Sequence, residues 1–328
     1  MTRPAGDVRV WPVERDVSAV VPIDGEHVMR GSLYASAGID PGAPPVVVFA
    51  LAGGRVTTRY FDLEVDGDDS YSMARHLAAR GLVVITLDHL GIGGSTPLDD
   101  LCVITPEVAA ATHADAVGAM IAQLRGGTLV AELPAFEPAA VIGLGHSMGG
   151  MVIVVEQAKH GLFDAIVVLG HSGDGTWEAL TDDERLLMQV PVERRERAMV
   201  DLARVRAGGL PPETARRAAP GSFFLPDVPR PVKAAFAAER TELLYSCALS
   251  TMIPGHTDAE KAAVTVPVFL AFGDHDLTDD YDGNAARYAS CPDLTLCILE
   301  GSAHCHNQAT TRAVLWDRVV EWIVSAPW

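Results

Sequence analysis

The residues Gly145-His146-Ser147-Met148-Gly149 lie where one apolar run, "VIGL", meets another, "MVIVV". A serine flanked by glycines at such a junction is suited to nucleophilic attack. Small neighbours let a strand and a following helix pass close together, and the central residue is held strained with its side chain outward. The helix start leaves free N–H groups, and that of Met148 is placed to receive an oxyanion. The bland alternative is a tight turn with a chance serine. A serine hydroxyl is a weak nucleophile and needs a base. After the last strand-like run, "LEGSAHCHNQ" carries His304 and His306. His304 is the preferred base, because it ends a Gly-x-x-His pattern directly after the strand, and His306 reads as a supporting or structural residue. The base needs an orienting carboxylate. "FGDHD" supplies Asp274 and Asp276 past another strand end. Asp276 is preferred, lying far enough beyond Gly273 to reach over the sheet edge, while Asp274 suits a turn cap. Asp174, in "LGHSGDG", is the competing carboxylate, and His171 and Ser172 beside it read as pocket lining or turn residues.

These groups need a scaffold that brings four chain segments to one rim. Short β-branched runs alternate with helical patterns. "DVSAVVPIDGEHVMRGSLYAS" reads as a hairpin turning at Asp24-Gly25. "PPVVVFALAGG", "LVVITLDHLGIGGS", "PAAVIGLGHS" and "FDAIVVLGHSGDG" read as buried strands with glycine-rich exits. Helices are expected over 70–80, 106–125 with Pro106 in the first turn, 148–160, about 283–290 and about 309–324. From 176 to about 260 no strong strand appears, while helical patterns and prolines abound, before "VTVPVFLAFGDHD" and "LTLCILE" resume the strands. Uniformly apolar strands alternating with helices predict an α/β fold, with a parallel sheet covered on both faces. The helical block then becomes an insertion at the carboxyl edge of the sheet, where such folds bind ligands.

With "GHSMG", "DHLGIGGS" (Asp88, Gly91, Gly93, Ser95), "FGDHD" and "GSAHC" in the order Ser, Asp, His, the chain resembles the α/β-hydrolase fold superfamily over nearly its whole length. The resemblance implies an eight-stranded, mostly parallel sheet flanked by helices, a core of 1–173 and 261–328, and a helical cap over 174–260. It implies serine hydrolysis of an ester or lactone, with Ser147, Asp276 and His304 catalytic and no cofactor. It also implies a second oxyanion donor after the first buried strand, where the family often has His-Gly-x and this chain has Ala52-Gly53-Gly54. The donor role carries over to Gly54, with Gly53 as the neighbouring option. The pocket candidates are Gly53, Tyr60, His146, Asp174, Trp177, Phe223 and Tyr245, with Phe61, Leu243, Leu244 and others as further bulky residues. Such a lining suits a medium-to-large hydrophobic substrate, and bacterial macrolactone hydrolases of the zearalenone-degrading type share the architecture. Acyl transfer on the same fold, and a non-catalytic ligand receptor, are the alternatives.

Composition narrows the rest. A formal net charge of -18 disfavours phosphate backbones and anionic membrane surfaces, so neither nucleic-acid nor membrane partners are expected. No His-Glu-x-x-His or comparable cluster implies a metal, and no Gly-rich phosphate motif precedes a helix. The N-terminus lacks an apolar run of signal-peptide length, and no stretch suits a transmembrane helix. Five scattered cysteines without a Cys-x-x-Cys suggest reduced thiols and a cytoplasmic location. Nothing in the sequence indicates an oligomeric state.

Overall fold

A computed structural model describes residues 7–36, 44–210, 214 and 223–328. The strands are β1 (Val8–Asp16), β2 (Val28–Ser36), β3 (Val47–Leu51), β4 (Asp62–Val65), β5 (Asp68–Ser72), β6 (Val83–Leu87), β7 (Val141–His146), β8 (Ala165–Leu169), β9 (Val268–His275) and β10 (Leu294–Ala303). Eight of them form one sheet in the order β1-β2-β6-β3-β7-β8-β9-β10. β2 runs antiparallel to both its neighbours, and the strands from β6 to β10 are mutually parallel. The α/β architecture with a mostly parallel eight-stranded sheet is therefore present.

Period-two alternation sends side chains to opposite faces. Val47, Phe49 and Leu51 join one core cluster, and Val48 and Ala50 the other. The first face is covered by α2 (Pro106–Gly126) and α3 (Met148–His160), the second by α1 (Met73–Ala79) and α10 (Arg312–Ser325). α2 begins with Pro106 at its first turn, where the missing N–H costs nothing. Thr105 caps it by accepting from the Val108 N–H, and Gly127, at φ 64°, ends it in the left-handed region.

Two N-terminal expectations need correcting. The hairpin is β1–β2, and its first arm lies earlier than 16–22. Residues 17–27 are a long connection, because Val17 and Val21 turn inward to the core and the Val17 N–H closes onto the His27 carbonyl. Asp24-Gly25 lies within that connection and is not the hairpin turn. The helix expected from 70 starts at Met73, since residues 68–72 pair with β4 in a small separate hairpin turning at Asp66-Gly67, both at positive φ. The helix expected over 283–290 is α9 (Tyr281–Ala286), and the last helix starts at Arg312 rather than near 309.

The stretch between β8 and β9 contains α4 (Asp182–Arg185), α5 (Val192–Ala207), α6 (Arg230–Ala238), α7 (Tyr245–Met252) and α8 (Asp258–Ala263). It has its own small core of Leu180, Leu187, Met199, Leu249 and Ile253. Val228 and Val232 instead pack on the β4–β5 hairpin through Leu63, Val65 and Tyr71. This helical layer is joined to the core by main chain as well: Val56 and Arg240 form an isolated antiparallel bridge, and the Thr241 N–H donates to the Arg55 carbonyl. No helix among the described residues is long and apolar enough to cross a membrane.

Candidate functional site

The register aligns the carboxyl ends of four neighbouring strands. Leu51 of β3 pairs with Gly145 of β7, His146 with Leu169 of β8, and Leu169 with Ala271 of β9. Just beyond that rung the chain turns sharply from β7 into α3. Ser147 has φ 53° and ψ −118°, a conformation that costs a non-glycine residue about 1–3 kcal/mol and persists only where its surroundings enforce it. Those surroundings require glycine. A Cβ on Gly145 would collide with the Gly149 and Gly150 backbone, and one on Gly149 with the Leu51 and Ala52 carbonyl oxygens. β7 and α3 can pass at the turn only because Gly145 lacks a side chain, and α3 and the β3 exit loop can touch only because Gly149 does.

Ser147, partly exposed at this turn, meets a buried hydrogen-bonded line. Its Oγ is 2.9 Å from His304 Nε2, and His304 Nδ1 is 2.6 Å from Asp276 Oδ1. Three segments build the line. β10 shifts register between Leu299 and Ala303, which carries His304 over the sheet edge. Asp274 holds that irregularity by accepting from the Gly301 and Ser302 N–H groups, each at 3.0 Å. Gly273 lets β9 approach, because a Cβ there would strike the Ser302 and Ala303 carbonyls.

Asp276 is 1% exposed in its side chain and accepts four hydrogen bonds. Besides His304, its Oδ1 accepts from the Leu277 N–H at 2.7 Å. Its Oδ2 accepts from His306 Nε2 at 2.8 Å and the Gly273 N–H at 3.1 Å. Burial alone would raise this carboxyl, but the facing His304 and His306 imidazoles and their N–H donation outweigh it and hold it well below its ordinary range. His306 is thus a second clamp on the carboxylate. His146, also buried, has Nε2 2.8 Å from the His304 carbonyl and so donates to it. Burial, with His304 and His306 nearby, pushes its imidazole well below its ordinary value, so it is a neutral prop. The line can pass a proton from hydroxyl to imidazole, with the anion fixing the imidazole's orientation.

The other side of Ser147 is equally crowded. Met148 is the first residue of α3, where unpaired N–H groups and the helix dipole favour negative charge. A Cβ on Gly53 would sit 3.2 Å from Ser147 Cβ, and one on Gly54 would sit 2.9 Å from Leu243 Cδ1 of the helical layer. The Ala52 carbonyl accepts from His89 Nε2 at 2.9 Å.

The other expected pocket residues divide. Phe223 lies over the base, its ring centroid 5.3 Å from that of His304 and its carbonyl accepting from the Cys305 N–H. Gly221 and Ser222, just before Phe223, lie outside the described residues. Tyr245 opens α7, partly buried. Tyr60 and Phe61 do not line a pocket: both are 1% exposed, and Tyr60 stacks on the His146 ring at 4.1 Å, which makes it core. Trp177 is also corrected, since its ring is exposed and lies beneath the Arg185 guanidinium. Asp174 does not reach the base. It binds Arg287, Thr278 and Asn284, and Arg287 continues to Asp258, tying the β8 exit to the return of the helical layer. Beside this network His171 contacts Thr257, and Lys261 is buried with its Nζ lacking a hydrogen-bond partner among the described residues. The Asp276 clamp by His306 and the His89 contact were not foreseen. Both residues lie in motifs already visible, "AHCHN" and "DHLG", but their bonds span 30 and 37 residues.

Among the described residues no group of three His, Cys, Asp or Glu side chains could hold a metal ion. A profile described as "Alpha/beta hydrolase family" matches residues 34–315. No curated protein matches the sequence. Solved structures similar in fold include a thermophilic esterase from Thermogutta terrifontis, malate bound, at 15% identity and TM-score 0.60, covering 96% of this chain and 98% of that one. A proline iminopeptidase from Mycobacterium smegmatis has 17% identity and TM-score 0.58 over 95% and 98% of the two chains. An epoxide hydrolase from Vigna radiata has 15% identity and TM-score 0.59 over 97% and 98%. At such identities the likeness is one of fold alone.

Proposed function

We propose, from a chain that belongs to the alpha/beta hydrolase family, that it is a serine hydrolase of carboxylic esters or lactones acting through an acyl-enzyme. The observation that carries this is the unbroken line from Ser147 Oγ through His304 to Asp276, at 2.9 and 2.6 Å. Ser147 attacks the carbonyl carbon as its proton passes to His304 Nε2. Asp276 keeps the Nδ1 proton on the far side and stabilises the imidazolium. The tetrahedral oxyanion faces the Met148 N–H and that of Gly54, with Gly53 adjoining. One such donor is worth roughly 2.7–4 kcal/mol in analogous sites. His304 then protonates the leaving alkoxide, and water, deprotonated by the same imidazole, cleaves the acyl-enzyme. With a lactone the alcohol remains attached, so the product is a single hydroxy acid.

Phe223 over the base and Leu243 over Gly54 favour a hydrophobic substrate of medium to large size. An aromatic macrolactone such as zearalenone belongs to that class. The test is p-nitrophenyl esters of increasing chain length, together with the macrolactone, assayed with wild type and Ser147→Ala and checked by fluorophosphonate labelling. Turnover that rises from acetyl to octanoyl esters and disappears in the folded Ser147→Ala protein is expected. Full activity in that variant, or no labelling of wild type, defeats the reading. Added alcohol separates hydrolysis from acyl transfer by the ratio of acid to ester formed.

A further inference from the structure

We propose that His89 is a positioning residue for the oxyanion-binding loop, acting through the Ala52 carbonyl. The inference rests on the serine-hydrolase reading above and assigns a role to the "DHLGIGGS" turn. His89 Nε2 lies 2.9 Å from the Ala52 oxygen, with both residues buried. A carbonyl can only accept, so the imidazole carries its proton on Nε2. Burial pushes its pKa down to about 4, so the ring is neutral and has that single N–H to give.

The consequence follows from peptide planarity. In a trans peptide the C=O and the next N–H point in opposite directions. Fixing the Ala52 oxygen therefore fixes the direction of the Gly53 N–H and, as the near anchor of the Gly53-Gly54 stretch that lies against Ser147, narrows where the following Gly54 N–H can point. Glycines do not fix this direction themselves, because they tolerate almost any backbone conformation. The far end of the stretch is held too: Arg55, itself at φ 63°, accepts through its carbonyl from the Thr241 N–H. The same Ala52 oxygen lies where a Cβ on Gly149 of the serine turn would strike it, so this carbonyl also borders the turn.

His89 is itself anchored. The preceding Asp88 accepts from the Thr58 N–H at 2.6 Å and the Gly94 N–H at 2.9 Å, and its carbonyl accepts from Ser95 Oγ. Asp88 thereby ties the turn to the segment that follows the oxyanion loop, and His89 is delivered to Ala52 from a rigid base. Such support is what electrostatic preorganisation requires, since donors must already point where charge develops.

The test compares His89→Met, which fills a similar space without the donor, with His89→Gln, which restores an N–H near Nε2. The readouts are ester turnover and inhibition by a trifluoromethyl ketone, which becomes a tetrahedral oxyanion on Ser147. His89→Met is expected to lose about 10- to 100-fold in kcat with KM nearly unchanged, less than the roughly 10²–10³ of deleting a whole donor. Ketone affinity should fall by the same factor, and His89→Gln should recover most of both. Wild-type kcat and ketone affinity in folded His89→Met overturn the inference while Ser147→Ala remains dead. Activity surviving Ser147→Ala overturns the underlying reading and this inference together. Nitrogen-15 NMR of the wild-type imidazole covers the case in which the variants do not fold. A proton on Nε2 is expected, and one on Nδ1 refutes the contact.

Discussion

Replacing Asp276 by asparagine is a sharp test of the site, because the structure specifies how an amide would fit. The carboxylate has two occupied sides. Oδ1 accepts from His304 and Leu277 at 2.6 and 2.7 Å, and Oδ2 from His306 and Gly273 at 2.8 and 3.1 Å. An asparagine can serve one side with its oxygen and must turn its NH2 to the other. The shorter pair is the costlier to lose, so the oxygen should stay with His304 and the NH2 should face His306. His306 can adapt, because its Nδ1 has no hydrogen-bond partner among the described residues and its proton can move there, leaving Nε2 to accept. His304 therefore keeps its working tautomer, and apart from the long Gly273 N–H contact, which the NH2 cannot accept, the loss is that of the negative charge. A unit charge about 4 Å from the imidazolium is worth about 4 kcal/mol at an effective dielectric of 20, or about three powers of ten in rate. Where an asparagine traps the base in the wrong tautomer the loss is about 10⁴. Expected, then, is a kcat loss near 10³ for Asp276→Asn, measured by ester hydrolysis at neutral pH. Combining it with His306→Phe, which cannot accept from the amide, should lower kcat further. A single variant within 10-fold of wild type would refute the role given to Asp276, and a double variant no worse than the single would refute the adaptation by His306.

Two further outcomes follow from features near the site. Gly149→Ala pushes a methyl into the Leu51 and Ala52 carbonyls. Parting helix and loop by about 1 Å should cost about 10² in kcat and about 1–3 kcal/mol in urea unfolding; a variant with wild-type kcat would show that this close approach is dispensable. Lys261 concerns pH. Burial lowers its ammonium from 10.5 to about 8. Below pH 8 folded and unfolded chains both hold the proton and the burial cost stands in full. From about pH 8 to 10.5 only the unfolded chain binds it, so stability should rise with pH there, by roughly 3 kcal/mol. Urea midpoints for wild type against Lys261→Met, which should lack this rise, measure the contribution; identical pH dependences in the two proteins would contradict it.

What could be read from the sequence had local determinants. Gly145, Ser147 and Gly149 mark a strand–helix turn because the steric conflict they relieve is between adjacent segments. Pro106 marks the start of α2 because its missing N–H falls in the first turn, where none is needed. The runs at 47–51, 141–146 and 165–169 are apolar on both faces, and only a covered parallel sheet accommodates that. Features that depend on distant partners were not legible. Tyr60 reads equally as pocket or core until His146 lies against its ring. Asp174 follows a strand as a triad acid would, and only the approach of Arg287 and Asn284 shows where its charge is spent. The β4–β5 hairpin did leave a signal, the Asp66-Gly67 pair, but its strands are too short and polar to stand out.

Beside the packing of Val228 and Val232 and the Asp174–Arg287–Asp258 chain, part of the seam between the helical layer and the core is drawn in main chain, through Val56 with Arg240 and Arg55 with Thr241. Such a join is indifferent to the side chains that cross it. Substitutions at Leu243 or Phe223 can then remodel the ceiling over Gly54 and His304 without unpicking its attachment. Ligand preference can drift by exchanging these surfaces while the reaction machinery below stays in place. A library confined to the ceiling should accordingly change which acyl chains are accepted far more than how fast the best of them is turned over.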